Sequence, residues 1–308
     1  MKPEETVDSV ETIPARHIVM KTKTAEWFGN DYNMNIYKGC CHGCIYCDSR
    51  SQCYGIERFD QVRVKENALE IIRDDLRRKV KKGVVGTGAM SDPYNPLEHR
   101  LLLTRHALEL IDAFEFGVSV ATKGTLISRD IDILQSIKVH SPVLCKLTIT
   151  TSDDTLSRKI EPGAPLSSKR FETLGQLRQA GLFAGLLLMP VLPFIEDTRE
   201  NILSIVERAA ECRANFIYPA FGVTLRQNQR DYFYRKLNEI FPGSHYTDAY
   251  RKRFGNTYSC HSPKQKELYE MFEEACVKHG ILYKMKDIIH AYKKDYGDNQ
   301  LSIFDFGL

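Results

Sequence analysis

Three cysteines, Cys40, Cys44 and Cys47, fall within the eleven-residue run YKGCCHGCIYC that spans 37–47. Thiolates are soft ligands, suited to zinc and to iron–sulfur clusters. The spacing, three intervening residues and then two, does not close a common zinc knuckle, which pairs its cysteines more regularly. Three thiolates on one short loop can instead hold three irons of a 4Fe-4S cube and leave the fourth iron open to another ligand. A zinc site or a group of unligated thiols is the competing reading, and it predicts a colourless protein. Cys41 and Cys53 are spare thiols nearby, and the three-ligand pattern is complete without them.

The pattern C-x3-C-x-aromatic-C, with Tyr46 as the aromatic, resembles the signature of the radical S-adenosylmethionine (SAM) superfamily. The resemblance implies that Cys40, Cys44 and Cys47 ligate a 4Fe-4S cluster, that SAM chelates the open iron, and that Tyr46 borders SAM. It further implies reductive cleavage of SAM to methionine and a 5′-deoxyadenosyl radical, with electrons from a reductant such as flavodoxin or ferredoxin. The fold it implies is a partial (β/α)6 barrel.

Elements able to position such a loop are visible in the chain. Apolar, β-rich runs at 83–89, 117–121, 143–150, 182–190 and 214–220 alternate with helix-like segments at 64–82, 102–115, 127–137, 167–180 and 197–212. Leu69, Ile72 and Leu76 show the three- and four-residue spacing of a helix face. With a strand near Asn33 to Tyr37 there are six, and strands alternating with helices are joined by right-handed crossovers into a parallel sheet. The fold class expected is therefore α/β, a partial (β/α)6 barrel, with functional residues at the C-terminal ends of the strands. From about Gln227 three helical segments punctuated by Pro, Gly and Ser follow. The division expected is a barrel domain over 1–226 with an N-terminal lead-in, and a helical C-terminal extension and tail over 227–308.

Composition narrows the class. The 308 residues are 43% hydrophobic, ample for a sizeable core, and the formal charge of +3 shows no global preference for nucleic acid. The start, MKPEETVDSVETIP, is polar and acidic, and the longest apolar stretch, Gly181 to Pro193, is too short to span a bilayer. Nine cysteines, an odd number, argue against a secreted disulfide framework. A cytoplasmic protein is expected, with no membrane partner. Cys260 and Cys276 are isolated, so no second cluster is expected.

Each strand end carries a candidate. The run GTGAMSDPYNPLE over 86–98 leaves the second strand, and TSDDTLSRKIEPGAPLSSKR follows the fourth. Both resemble the spore photoproduct lyase-like branch of the superfamily, and that resemblance places Ser91 and Asp92 near the methionine portion of SAM. A turn in which both side chains bond their own backbone is the alternative. Lys123, in Ala121-Thr122-Lys123-Gly124, presents a flexible cation at the third strand end, and the resemblance makes the SAM carboxylate its partner. In the fourth strand Thr148 and Thr150 share a face, because side chains alternate, and could meet ribose hydroxyls; ordinary β-propensity is the alternative account of threonine there. Met189 and Pro190 resemble the segment that borders adenine. Arg226, at the exit of the last strand, reads either as a contact for an anionic substrate or as half of a surface pair. Glu161, Lys169 and Arg170 match the branch's stretch with no role assigned.

The branch's lyases carry a hydrogen-donating cysteine about two residues before the Ser-Asp pair, where this chain has Gly88-Ala89-Met90. Thymine-dimer reversal is therefore not expected, and Cys145 reads as a buried strand residue. Near the end, Gln300-Leu301-Ser302-Ile303-Phe304 closely resembles the bacterial sliding-clamp pentapeptide, in which Leu301 and Phe304 would dock in a groove and Gln300 would fix register; a tail packing Ile303 and Phe304 on its own barrel is the alternative. Two functions result: a radical SAM enzyme acting on an unidentified, DNA-linked substrate, or a sliding-clamp-associated DNA-binding protein with a structural or redox-sensing cluster.

Overall fold

The computed structural model describes residues 10–296, so the pentapeptide at 300–304 lies outside the described residues. A seven-stranded sheet forms the frame: β1 (Val19–Lys21), β2 (Tyr32–Met34), β3 (Val84–Thr87), β4 (Gly117–Thr122), β5 (Val143–Thr148), β6 (Ala184–Leu188) and β7 (Ile217–Pro219). They lie side by side in chain order, β1 antiparallel to β2 and every later pair parallel. β2 to β7 are thus the six strands of a partial barrel. Strands β3, β5 and β6 are buried along their whole length, as expected for a parallel sheet covered on both faces.

The crossovers carry α1 (Ala68–Arg77), α2 (Leu103–Ala113), α3 (Ile131–His140), α4 (Asp154–Ile160), α5 (Ser167–Gln179) and α6 (Arg199–Glu211). Ala68, Ile72 and Leu76 are the buried stripe of α1, one every four residues. The Thr198 hydroxyl caps α6 by accepting from the Asn201 backbone N–H at 3.2 Å. Side chains on the outer face of the sheet, Val85, Val118, Val120, Cys145, Leu147 and Leu186 among them, pack on these helices in one core. Cys145 is accordingly a buried strand residue.

The inner face is filled differently. Val84, Leu144, Leu187 and Phe216 meet Phe28, from the loop between β1 and β2, and Ile288 and Tyr292 from the last described helix. Phe28 therefore enters the barrel from its open side, where β2 and β7 do not pair. The Tyr292 hydroxyl holds it by donating to the Phe28 carbonyl at 2.6 Å.

Beyond β7 the chain adds β8 (Gly222–Thr224), α7 (Gln227–Ile240), α8 (Tyr246–Phe254), β9 (Ser259–His261), α9 (Gln265–Lys278) and α10 (Met285–Lys293). The antiparallel ribbon of β8 and β9 and the helix α8 are additions to the helical segments expected there. The antiparallel β1 is likewise an addition. Boundaries also differ: among others, α1 occupies 68–77 of the expected 64–82, α3 runs 131–140 where 127–137 was expected, and β5 stops at Thr148. Among the described residues no helix is long and apolar enough to cross a membrane.

Candidate active site

The cysteine loop is held on several sides. It leaves a short strand, Tyr37–Lys38, that pairs antiparallel with Arg63–Lys65. The Cys40 N–H then donates to Phe59 O at 2.8 Å, and Ile45 N–H to Ile160 O at 3.0 Å. From the other side Gln229, in the first turn of α7, donates its amide to Tyr46 O at 2.9 Å. Ser91 Oγ donates to Gly39 O at 2.5 Å.

These contacts place the loop over the C-terminal ends of the strands, against a cavity of about 360 Å³. Cys40, Cys44, Tyr46, Cys47, Ser91, Asp92, Lys123, Thr148, Met189 and Pro190 all line it. Thr150 does not: β5 ends at Thr148, and the alternation that would have paired the two threonines ends with it. Arg226 stands at the rim beside the lining residues Asp48 and Thr224. Its Nε is 3.4 Å from Asp48 Oδ1, and its Nη2 donates to the Tyr258 hydroxyl at 3.2 Å. Among the described residues Cys40, Cys44 and Cys47 are the sole thiols in the lining; Cys41, Cys53 and Cys145 are outside it.

Asp92 builds a turn, whereas the Ser91 hydroxyl is spent on Gly39 O rather than on its own backbone. Asp92 Oδ1 accepts from Tyr94 N–H at 2.9 Å and from the Thr122 hydroxyl, and Oδ2 accepts from Lys123 N–H at 2.7 Å. The carboxylate thereby locks the loop after β3 onto the end of β4. His42, which the sequence reading did not single out, faces Asp92 Oδ2 at 3.4 Å. Burial holds its imidazole below the ordinary value, and so neutral at pH 7.

Burial also raises the three thiols, Cys40 to about 12, so ligation of iron would release their protons. Lys123 behaves in the opposite way. Burial pulls it down, but Cys44, when a thiolate, and the Glu161 carboxylate outweigh that and keep the ammonium charged. Its Nζ stands 3.7 Å from Glu161 Oε1 and 5.5 Å from the centre of the Tyr46 ring. Among the described residues no three His, Cys, Asp or Glu are arranged around one point to hold a single ion. Cys40, Cys44 and Cys47 line one cavity, and in a cluster each of three irons would take one of them. Ala121, Leu187, Met189, Ala220 and Val223 give the lining an apolar part suited to a purine ring.

The sequence pattern of the radical SAM superfamily matches residues 34–206, from β2 through most of α6. The chain belongs to the radical SAM superfamily. An uncharacterised protein of Mycobacterium tuberculosis is 31% identical over 230 residues, 72% of this chain and 67% of that protein. A radical SAM Nalpha-GlyT isomerase of a Pseudomonas phage is 22% identical over 249 residues, 79% of this chain and 51% of the isomerase. Among solved structures, spore photoproduct lyase complexed with dinucleoside spore photoproduct shares the fold, with a TM-score of 0.64 at 13% identity. That match covers 87% of this chain and 78% of the lyase. The protein is a radical SAM enzyme, and membership of the superfamily implies reductive cleavage of SAM with an iron–sulfur cluster.

Proposed function

We propose that Cys40, Cys44 and Cys47 hold a 4Fe-4S cluster, that SAM lies along the cavity, and that the radical acts on a DNA-linked substrate at the rim. The observation that carries the reading is the convergence of the three thiols, Lys123 and an apolar wall on one cavity at the strand ends. When bound, the cluster and SAM supply one-electron cleavage and a 5′-deoxyadenosyl radical. The chain's own part is to place and shield them. Lys123 offers its charge to the SAM carboxylate, Tyr46 and Ser91 border the methionine portion, and Thr148 and Met189 stand where ribose and adenine would lie. Enclosure in the barrel keeps water from the reacting atoms.

A DNA-linked substrate is supported by one likeness and one local feature. The fold is that of a lyase complexed with dinucleoside spore photoproduct. At the rim, the Arg226 guanidinium lies 4.7 Å from the centre of the Tyr258 ring, which is 44% exposed, a pairing able to stack on a base and meet a phosphate. Thymine-dimer reversal is not proposed, because Gly88, Ala89 and Met90 form the stretch of the lining where the lyases' thiol is expected. The test is 5′-deoxyadenosine formation by the reconstituted enzyme with intact or damaged oligonucleotides, single- and double-stranded. A several-fold stimulation by one of them, with a mass change in that oligonucleotide, is expected. Equal formation with and without every nucleic acid, and no altered oligonucleotide, would remove the DNA-linked substrate.

A further inference from the structure

We propose that Glu161 is a positioning residue for SAM cleavage, the shared anchor that sets Tyr46 and Lys123 against the cavity. The inference rests on the cluster and SAM reading above and assigns a role to the Glu-Pro-Gly stretch after α4.

Glu161 is 1% exposed, and both of its oxygens are engaged. Oε1 accepts the hydroxyl of Tyr46 and faces Lys123 Nζ at 3.7 Å, while Oε2 accepts from Arg170 Nη2. Arg170, fully buried, has its other donors committed. Nε donates to Pro165 O at 2.8 Å, Nη1 to Thr148 O at 2.6 Å, and Nη2 also to Ser157 Oγ at 2.8 Å. The fork therefore ties Glu161 at once to the end of β5, to α4 and to the turn before α5. Burial raises the Glu161 carboxyl, but Arg170, then Lys123 and the Tyr46 hydroxyl, outweigh it, so the group is an anion.

The backbone reinforces the arrangement. Gly163 N–H donates to His42 O at 2.9 Å, and a Cβ on Gly163 would stand 2.4 Å from Cys41 O. The turn that carries Glu161 is thus pressed against the loop that carries the cysteines. A buried ion pair adds little net stability over apolar side chains of the same volume. What the pair supplies here is placement: one carboxylate fixes the aromatic of the cluster loop and the cavity-facing ammonium. One anion beside two cations also leaves a single positive charge facing the three thiolates and the SAM carboxylate.

Placement and charge are separable by mutation. Glu161→Gln removes the anion and leaves two buried cations, whereas Glu161→Gln with Arg170→Met keeps the net charge of the wild type but not the anchor. Tyr46→Phe removes the hydroxyl alone and keeps the fold. Each protein is reconstituted anaerobically, its iron counted, its cluster potential titrated and its SAM dissociation constant measured. Positioning predicts about tenfold weaker SAM binding in the double variant and in Glu161→Gln, and a smaller loss in Tyr46→Phe. The potential moves upward in Glu161→Gln alone. Wild-type SAM affinity in iron-loaded double variant overturns the proposal, and where that variant loads no iron, wild-type affinity in Tyr46→Phe does so. Absence of iron or SAM binding in the wild type contradicts the cluster reading itself, and both fall together.

Discussion

Lys146 shows how much a single residue can set against stability. It is 1% exposed, its Nζ is 2.5 Å from Ser119 Oγ and 4.5 Å from the centre of the Phe28 ring, and among the described residues no carboxylate pairs with it. It also stands in register between Ala121, which lines the cavity, and Gly185. Burial pushes its pKa down to about 7, below the 10.5 of an exposed lysine. Protons are therefore bound more tightly by the unfolded chain. The penalty is complete below about pH 7 and shrinks as pH rises from there toward 10.5. Glu196 works with the opposite sign: burial raises it to about 8, so its contribution declines between the unfolded value near 4.5 and about 8. Comparison with Lys146→Met isolates the lysine. That variant should be about 1–3 kcal/mol more stable at pH 7, with the difference closing toward pH 10. Parallel stability–pH curves in urea unfolding would contradict this account of Lys146.

At the scale of elements, the loop after β3 depends on how closely β3 and β4 approach. Gly88 has φ +93°, and a Cβ there would lie 1.9 Å from Ala121 O. Gly88→Ala should cost more than about 2 kcal/mol by strain and by parting the strand ends. It should also weaken SAM binding, because Asp92 would lose its hold on Thr122 and Lys123. A variant with wild-type melting temperature and SAM affinity would show that the approach is not required. The strand ends were legible in the sequence because long apolar runs and amphipathic helices alternate, and that rhythm needs no tertiary information. The β8–β9 ribbon was not, since three-residue strands such as Gly222–Thr224 leave too short a pattern, and their pairing joins residues far apart in the chain. Thr150 was placed on the cavity face by extending β5 two residues past its end. Glu161 and Arg170 were visible as residues but not as a pair, because only the packed crossover brings them together around Tyr46.

For the whole molecule, the parts converge at one end of an incomplete barrel. The open side between β2 and β7 is filled by Phe28 and by α10, and Leu282 extends β7 through a parallel bridge from Phe216. The inner face is thereby closed, and the cavity at the strand ends is the place where cysteine loop, lysine and apolar wall meet. Cluster-dependent cleavage of SAM on that cavity is measured with anaerobically reconstituted wild type and Cys44→Ala. Iron is counted, and 5′-deoxyadenosine is quantified after addition of a strong reductant. Iron and reductant-dependent 5′-deoxyadenosine are expected in the wild type, and loss of both in the variant. Retention of both in Cys44→Ala, or iron in the wild type without any 5′-deoxyadenosine, would contradict cluster-dependent cleavage.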